Sequence, residues 1–387
     1  MNKLSIFCVL VLINSIFAQQ FDVEIIPTLA DPSLDYWHKS FDKDAYTIPQ
    51  VKKVVPGQTF RLCIFFENYG TQNNAANVKF WVKCVKPDGS KGFTKNKLTG
   101  LSDSGTGKKQ LCEKVIPISF SKNDPIGEYE IQVLCVDYIN KKKLKRNFKI
   151  ELTEWKRGSY PGSLQEYSQW MHNYYKNPSP NYAVHAFLTH FTPIKTVKGK
   201  KQFQYDVLHF FRTVFTKNEY LMDLALKDFA SYSTSEKVKM ATLCNAIGKT
   251  DKVLSLCDES ERQIVSKTKI QIPDPYSEVD NFVQISMLWI EFYATGNITP
   301  IEQIVDALKN VKYFGAQKKY KDSAAQHQQE IVKDLLFQVT AWSLQQHWRI
   351  SPLATSYTRY ILDTNKNSQK MSIRALQQVL QSQQRKK

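Results

Sequence analysis

Apolar and polar positions alternate along the first part of this chain and recur at helical spacing along the rest. Period-two runs occupy Phe21–Ile25, Phe60–Phe66, Val78–Cys84, Tyr129–Cys135 and Phe148–Leu152. Such runs predict strands with one buried face. Turn residues separate them, at Pro56-Gly57, Pro87-Asp88-Gly89, Pro125-Ile126-Gly127 and Lys141–Lys143. About seven strands punctuated this way predict a β-sandwich. The stretch Phe93–Lys109, rich in Gly, Ser, Thr and Lys, reads as a loop.

The turn-rich segment Trp155–Ser163 marks the change of period. Beyond it the spacing predicts helices near 163–175, 180–191, 203–216, 218–231, 235–247, 251–268, 277–295, 300–311, 321–347, 352–363 and 370–384. The clearest pair lies around Met287–Lys309. Phe282, Ile285, Trp289 and Phe292 share one face, and Thr295-Gly296 stops that helix. Thr299-Pro300-Ile301-Glu302 predicts the next start, with Thr299 as cap and Glu302 closing a capping box. Ile301, Ile304, Val305 and Leu308 then form an apolar stripe. One antiparallel pair cannot bury its own apolar face, so neighbouring helices are implied.

The N-terminus has Lys3, an apolar run Leu4–Ile13, and Ala18 as a small residue before a cut. This predicts a secretory signal peptide over 1–18, and hence a secreted chain or one in the lumen of the secretory pathway. The predicted order is therefore a signal peptide, a β-sandwich at 20–155, a linker at 156–163, and an α-helical repeat-like (solenoid) domain at 164–387. No later apolar run is long enough for a transmembrane segment.

Within the β-region, Phe66-Glu67-Asn68-Tyr69-Gly70, Pro87-Asp88-Gly89 and Gly127-Glu128-Tyr129-Glu130-Ile131 resemble the cues of immunoglobulin-like adhesion modules. The order Cys63, Trp81, Cys135 matches the antibody-type pattern, but the parity departs from it. Cys135 shares a face with Ile131 and Val133, whereas Cys63 lies opposite Leu62 and Ile64. In the helical region, Leu288-Trp289 with Phe292 and Ala294-Thr295-Gly296 is similar to a motif of uncharacterised exported helical proteins. Those resemble degenerate tetratricopeptide-type stacks. The resemblance implies a binding surface, by analogy of fold, and brings no activity.

Net charge is +17 over 387 residues, and +16 once Lys3 leaves with the leader. That balance favours anionic glycans, acidic proteins or lipid surfaces, and the secretory route disfavours nucleic acid. The basic run Lys141, Lys142, Lys143, Lys145 and Arg146 is the candidate contact for an anionic partner. Six cysteines remain after the leader, an even number that predicts disulfides in an oxidising compartment. Cys244 and Cys257 flank the Gly248 turn and are expected to pair. Cys63, Cys84, Cys112 and Cys135 allow three connectivities, and none is chosen. Asn297-Ile298-Thr299 is the one N-glycosylation acceptor, placing a glycan on Asn297.

Catalytic signals are sparse. His172, His185, His190 and His209 cluster in sequence without a metal-site pattern. Glu219, Asp223 and Asp228 read as a solvated helix face. No catalytic, cofactor-binding or metal residue is named, and no cofactor is expected. The leading expectation is a secreted, non-enzymatic protein-interaction or scaffold protein, its protein partner held on the helical domain. The alternatives are a glycan- or anionic-surface-binding module and a secreted enzyme of unrecognised type.

Overall fold

A computed structural model describes residues 20–30, 36–37, 47–102, 107–156, 162–192, 194–197, 200–266, 270–320, 323 and 325–384. The expected leader at 1–18 and most of the expected linker lie outside the described residues. An N-terminal sheet region is followed by a C-terminal helical region. The chain divides into two compact units. One gathers the residues up to Thr28 with Gln50–Val55 and Thr59–Thr153. The other gathers Leu29–Pro49, Pro56–Gln58 and Glu154–Lys387. The described residues 29–30, 36–37 and 47–49 thus group with the helices, although their position in sequence lies within the β-region. Tyr36 accounts for this, its ring standing edge-on to Tyr357 at 4.7 Å and to Tyr360 at 5.4 Å.

In the first unit, β1 (Asp22–Thr28), β8 (Gln110–Leu111) and β9 (Ile116–Ser119) all pair with β3 (Thr59–Glu67) in one antiparallel sheet. The second sheet runs β2 (Lys53–Val54), β11 (Lys142–Leu152), β10 (Gly127–Asp137), β6 (Val78–Val85), β7 (Lys91–Leu101). Its β2–β11 pair is parallel and the others are antiparallel. A two-residue ribbon, β4 (Thr71–Gln72) with β5 (Ala75–Ala76), lies between β3 and β6 in the chain. Alternation decides which faces meet. Phe80 on β6 lies 6.4 Å from Phe66 on β3, ring to ring, so the buried faces of the two sheets pack together. Gly100 is required there, because a Cβ would lie 2.8 Å from the Phe66 ring. Cys135 is buried with Ile131 and Val133 on β10, and Cys63, Leu62 and Ile64 are all buried on β3.

The expected loop at 93–109 is in large part strand. Residues Lys91–Leu101 pair with β6 from Val85↔Lys91 to Val78↔Leu101, with bulges between. β7 ends the sheet order, and lysines with bulges are how an edge strand avoids pairing with another chain. That composition imitates a loop. Residues 103–106 lie outside the described residues.

The second unit holds α1 (Leu164–Asn173), α2 (Ala183–His190), a hairpin of β12 (Ile194–Val197) and β13 (Lys200–Phe203), α3 (Tyr205–Lys217), α4 (Tyr220–Lys227) and α5 (Thr234–Ala246). It continues with α6 (Thr250–Leu254), α7 (Glu259–Val265), α8 (Phe282–Thr295), α9 (Thr299–Ala307), α10 (Ala316–Lys319), α11 (Gln328–Ile350), α12 (Pro352–Thr364) and α13 (Met371–Gln384). Four starts are fixed by reciprocal capping boxes: Ser163 with Glu166, Ser233 with Glu236, Asp258 with Glu261, and Asn281 with Gln284. Each cap stabilises its helix by ~1 kcal/mol. The core is aromatic, with Phe187, Phe210 and Phe211 around Trp170 and Tyr174. Among the described residues no helix is long and apolar enough to cross a membrane.

Two expectations about caps and turns are corrected. Thr299 is the first residue of α9 and not its cap. Asn297 Oδ1 accepts from the Thr299 N–H and from its hydroxyl, both at 3.0 Å, in an Asx-type turn. Gly296 does stop α8 in the left-handed conformation, φ 67°, and Tyr357 donates its hydroxyl to the Gly296 carbonyl at 2.6 Å. The predicted helix 251–268 is broken, because Asp258 caps a new start at Glu259. Cys257 therefore lies in the break and not on a helix continuous from the Gly248 turn. Both are free thiols, and Cys244 Sγ packs 3.4 Å from Met222 Sδ.

Candidate functional site

A pocket of about 540 Å³ opens in the helical unit among α1, α8, α11 and the start of α3. Tyr167, Met171 and His172 enter from α1, and Trp289 and Tyr293 from α8. Trp342, Ser343 and His347 come from α11, and Asp206 comes from the first turn of α3. The spacing explains the convergence. Phe282, Ile285, Trp289 and Tyr293 stand on one side of α8, three or four residues apart. Of the apolar stripe read from the sequence, Phe282, Ile285 and Trp289 line this wall, while Phe292 is buried away from it and Tyr293 takes the fourth place.

The wall is braced from behind. Trp289 Nε1 donates to Ser343 Oγ at 3.1 Å, and its ring stacks on His347 with centroids 3.8 Å apart. Tyr293 is hydrogen-bonded to His347 Nδ1. His172 meets the Tyr293 ring edge-on at 4.9 Å and is anchored through Nδ1 to the Ser168 carbonyl at 2.7 Å. Burial, with His172 nearby, lowers His347 from its ordinary 6.5 to about 4, so its imidazole is neutral at pH 7. Burial also lowers His190, which stacks on Tyr167 at 4.7 Å.

Among the described residues Asp206 is the one acidic side chain on the wall, and no lysine or arginine lines it. Its Oδ1 accepts from the Val207 N–H at 2.9 Å, and its Oδ2 is 3.5 Å from Ser286 Oγ. Beside it, Tyr167 is 5% exposed, and its hydroxyl makes no hydrogen bond among the described residues. At the mouth, Leu164 (69% exposed), Phe282 (45%) and Trp342 (61%) stand in solvent.

Of the four histidines close in sequence, His172 and His190 reach this pocket and His185 does not. His209 is buried behind it, with Nε2 2.7 Å from Glu291, which also accepts from the Tyr276 hydroxyl at 2.6 Å. Burial alone raises the Glu291 carboxyl, but the hydrogen bonds from His209 and Tyr276 outweigh it and hold the group below its ordinary value. Among the described residues no cluster of His, Cys, Asp and Glu is arranged to hold a metal. Asp223 pairs with Lys252 at 2.9 Å and Glu219 with Lys249 at 3.4 Å, ion pairs on a solvated face.

The basic run occupies the β10–β11 turn and the start of β11. Lys141 takes a left-handed φ of 55°, and Lys142, Lys143 and Lys145 are exposed. Arg146 is already engaged, with Asp22 at 2.8 Å and the Val23 carbonyl at 3.2 Å. The turn is pinned by the buried Asp137, which accepts from the backbone of Gly70, Ile139 and Asn140. Asn297, the glycan acceptor in the sequence, is half-buried at the α8–α9 turn.

Asp206, Tyr293, Trp342 and His347 were not singled out from the sequence. Trp342 carried a signal, since it falls outside the buried set of α11 that includes Leu336, Thr340, Ser343 and Leu344.

No protein-family model matches the chain, and no curated protein matches it. Solved structures match weakly. A family 123 glycoside hydrolase from Clostridium perfringens, described for glycolipid glycan hydrolysis, aligns at 10% identity and TM-score 0.25, over 36% of this chain and 28% of its own. An immunoglobulin-like protein from Pseudomonas aeruginosa aligns at 12% identity and TM-score 0.20, over 35% of this chain and 99% of its own. A family 76 glycoside hydrolase from a bovine Bacteroides thetaiotaomicron strain aligns at 10% identity and TM-score 0.18, over 75% and 76%. These scores carry no argument about activity. The class the chain defines is a sheet region followed by a helical region.

Proposed function

We propose that this chain is a secreted or lumenal, non-enzymatic binding protein, in which an immunoglobulin-like sandwich precedes a degenerate helical-repeat stack. The helical unit recognises its partner by taking one group of it into the Trp289–Trp342 pocket. The observation that carries this reading is the exposed apolar rim of Leu164, Phe282 and Trp342 around an aromatic wall. Exposed apolar clusters of this kind mark interaction sites. The volume, about 540 Å³, falls in the range of ligand pockets, mostly apolar with a few polar groups. A single carboxylate among the described lining residues favours binding over hydrolysis by paired carboxylates.

The test is capture of partners by the full mature chain, with and without Trp342→Ala. Trp342 is exposed, so its loss leaves the fold intact, and the reading expects capture to fall at least about tenfold, as for a hot-spot aromatic. Undiminished capture would place recognition elsewhere, with the exposed Lys142, Lys143 and Lys145 the next surface to neutralise. The secretory route has its own test. Stripping N-glycans from the native protein should lower its apparent mass through Asn297.

A further inference from the structure

The pocket is chemically unlike the chain that builds it. Lysine and arginine number 53 among 387 residues, yet among the described residues none lines the wall. The wall instead presents the faces and edges of Tyr167, Phe282, Trp289, Tyr293 and Trp342, with Asp206 as its one carboxylate. No ion pair engages Asp206 among the described residues. Its hydrogen bonds from the Val207 N–H at 2.9 Å and from Ser286 at 3.5 Å leave acceptor capacity on both oxygens. The His347 imidazole does not supply a competing cation, because it is neutral and tied to Tyr293.

We propose that the pocket takes an organic ammonium group, held over the indole and phenol faces and paired with Asp206. Aromatic faces attract cations through their quadrupole, most strongly where water is excluded, and a carboxylate adds direct Coulomb attraction. Tyr167 is the independent pointer to a ligand. Its hydroxyl is buried at the wall and unpartnered, so a donor or acceptor adjoining the ammonium would satisfy it. The class therefore includes amino alcohols and their quaternary relatives, and equally a lysine or methyl-lysine side chain of a protein partner. An anion is disfavoured, since it would meet Asp206 with no basic residue among the described lining to compensate.

This inference rests on the pocket being the binding site, and the experiment separates the two. Choline and its uncharged carbon isostere, 3,3-dimethylbutan-1-ol, are titrated into the full chain by calorimetry, with Nα-acetyl-trimethyllysine amide as the side-chain arm. The expected result is that choline binds at least about tenfold tighter than the isostere. Asp206→Asn should erase most of that preference, and Trp342→Ala should weaken the ammonium probes while circular dichroism is unchanged. Stronger binding of the trimethyllysine amide than of choline assigns the source to a protein side chain; the reverse assigns it to a small molecule. Equal affinity for choline and the isostere overturns the proposal, as does an Asp206→Asn variant with unaltered preference, or no binding of either ammonium probe. If partner capture still depends on Trp342 in those cases, the pocket remains the site and only its ammonium chemistry falls.

Discussion

Lowering the pH from 7.5 to 4.5 should destabilise the helical unit through His347. Free histidine titrates at 6.5, and burial among Trp289, Tyr293 and neighbouring His172 lowers this group to about 4. Two effects oppose each other. Desolvation and His172 disfavour the imidazolium, while the Trp289 face, stacked at 3.8 Å, favours it by about 1 kcal/mol. Desolvation is the larger, so the folded state resists protonation. The stability linked to His347 is then fully present above pH 6.5 and is lost as the pH falls towards 4, because only the unfolded chain gains the proton. At about 1.4 kcal/mol per pH unit, about 2.5 kcal/mol is lost by pH 4.5, and about 1.5 kcal/mol if the Trp289 stack offsets part of it.

The assay is urea unfolding followed at 222 nm, at both pH values, for the parent and for His347→Gln. Glutamine cannot titrate but can still accept from the Tyr293 hydroxyl. Glu291 and other carboxylates destabilise both proteins in acid, and the difference between the two isolates His347. The variant should lose about 1.5 to 2.5 kcal/mol less than the parent. Parallel losses would refute the reasoning, and so would an imidazole resonance of His347 titrating near 6.5.

Two further expectations concern the turns and the thiols. Asn297→Ala should cost about 1 kcal/mol, since it removes the acceptor for the Thr299 N–H and hydroxyl, whereas Thr299→Ala keeps the backbone bond and should cost much less; the opposite order in denaturation midpoints would restore Thr299 as the cap. Burial raises all six described thiols, Cys84 and Cys112 to about 11 and Cys135 and Cys244 to about 12, so the folded protein should alkylate slowly at pH 8. Denaturation without reductant should then release all six, counted by mass spectrometry, and fewer than six would reveal bridges.

The strands and most helices were legible because their burial is periodic, and period is a local property. Phe60–Phe66 and Tyr129–Cys135 needed no tertiary context, and neither did the Gly296 stop. Where local chemistry imitates something else, the sequence misleads. β7 is an edge strand whose lysines and small residues read as a loop, and Asp258 reads as one more polar residue until it caps α7 and ends the idea of a long helix through Cys257. The pocket is a harder case. Its carboxylate and its histidines come from helices that begin 164, 183, 205 and 328 residues into the chain, and each of these side chains, taken alone, fits a core or surface role on its own helix. Trp342 deviates from the period, an indole placed outside the buried set of α11 and left 61% exposed. With Leu164 and Phe282 it makes an exposed apolar rim at the pocket, and clusters of this kind mark interaction sites, whereas single exposed apolar residues do not. Trp342 is the largest side chain of that rim and is therefore placed in every binding test of the helical unit.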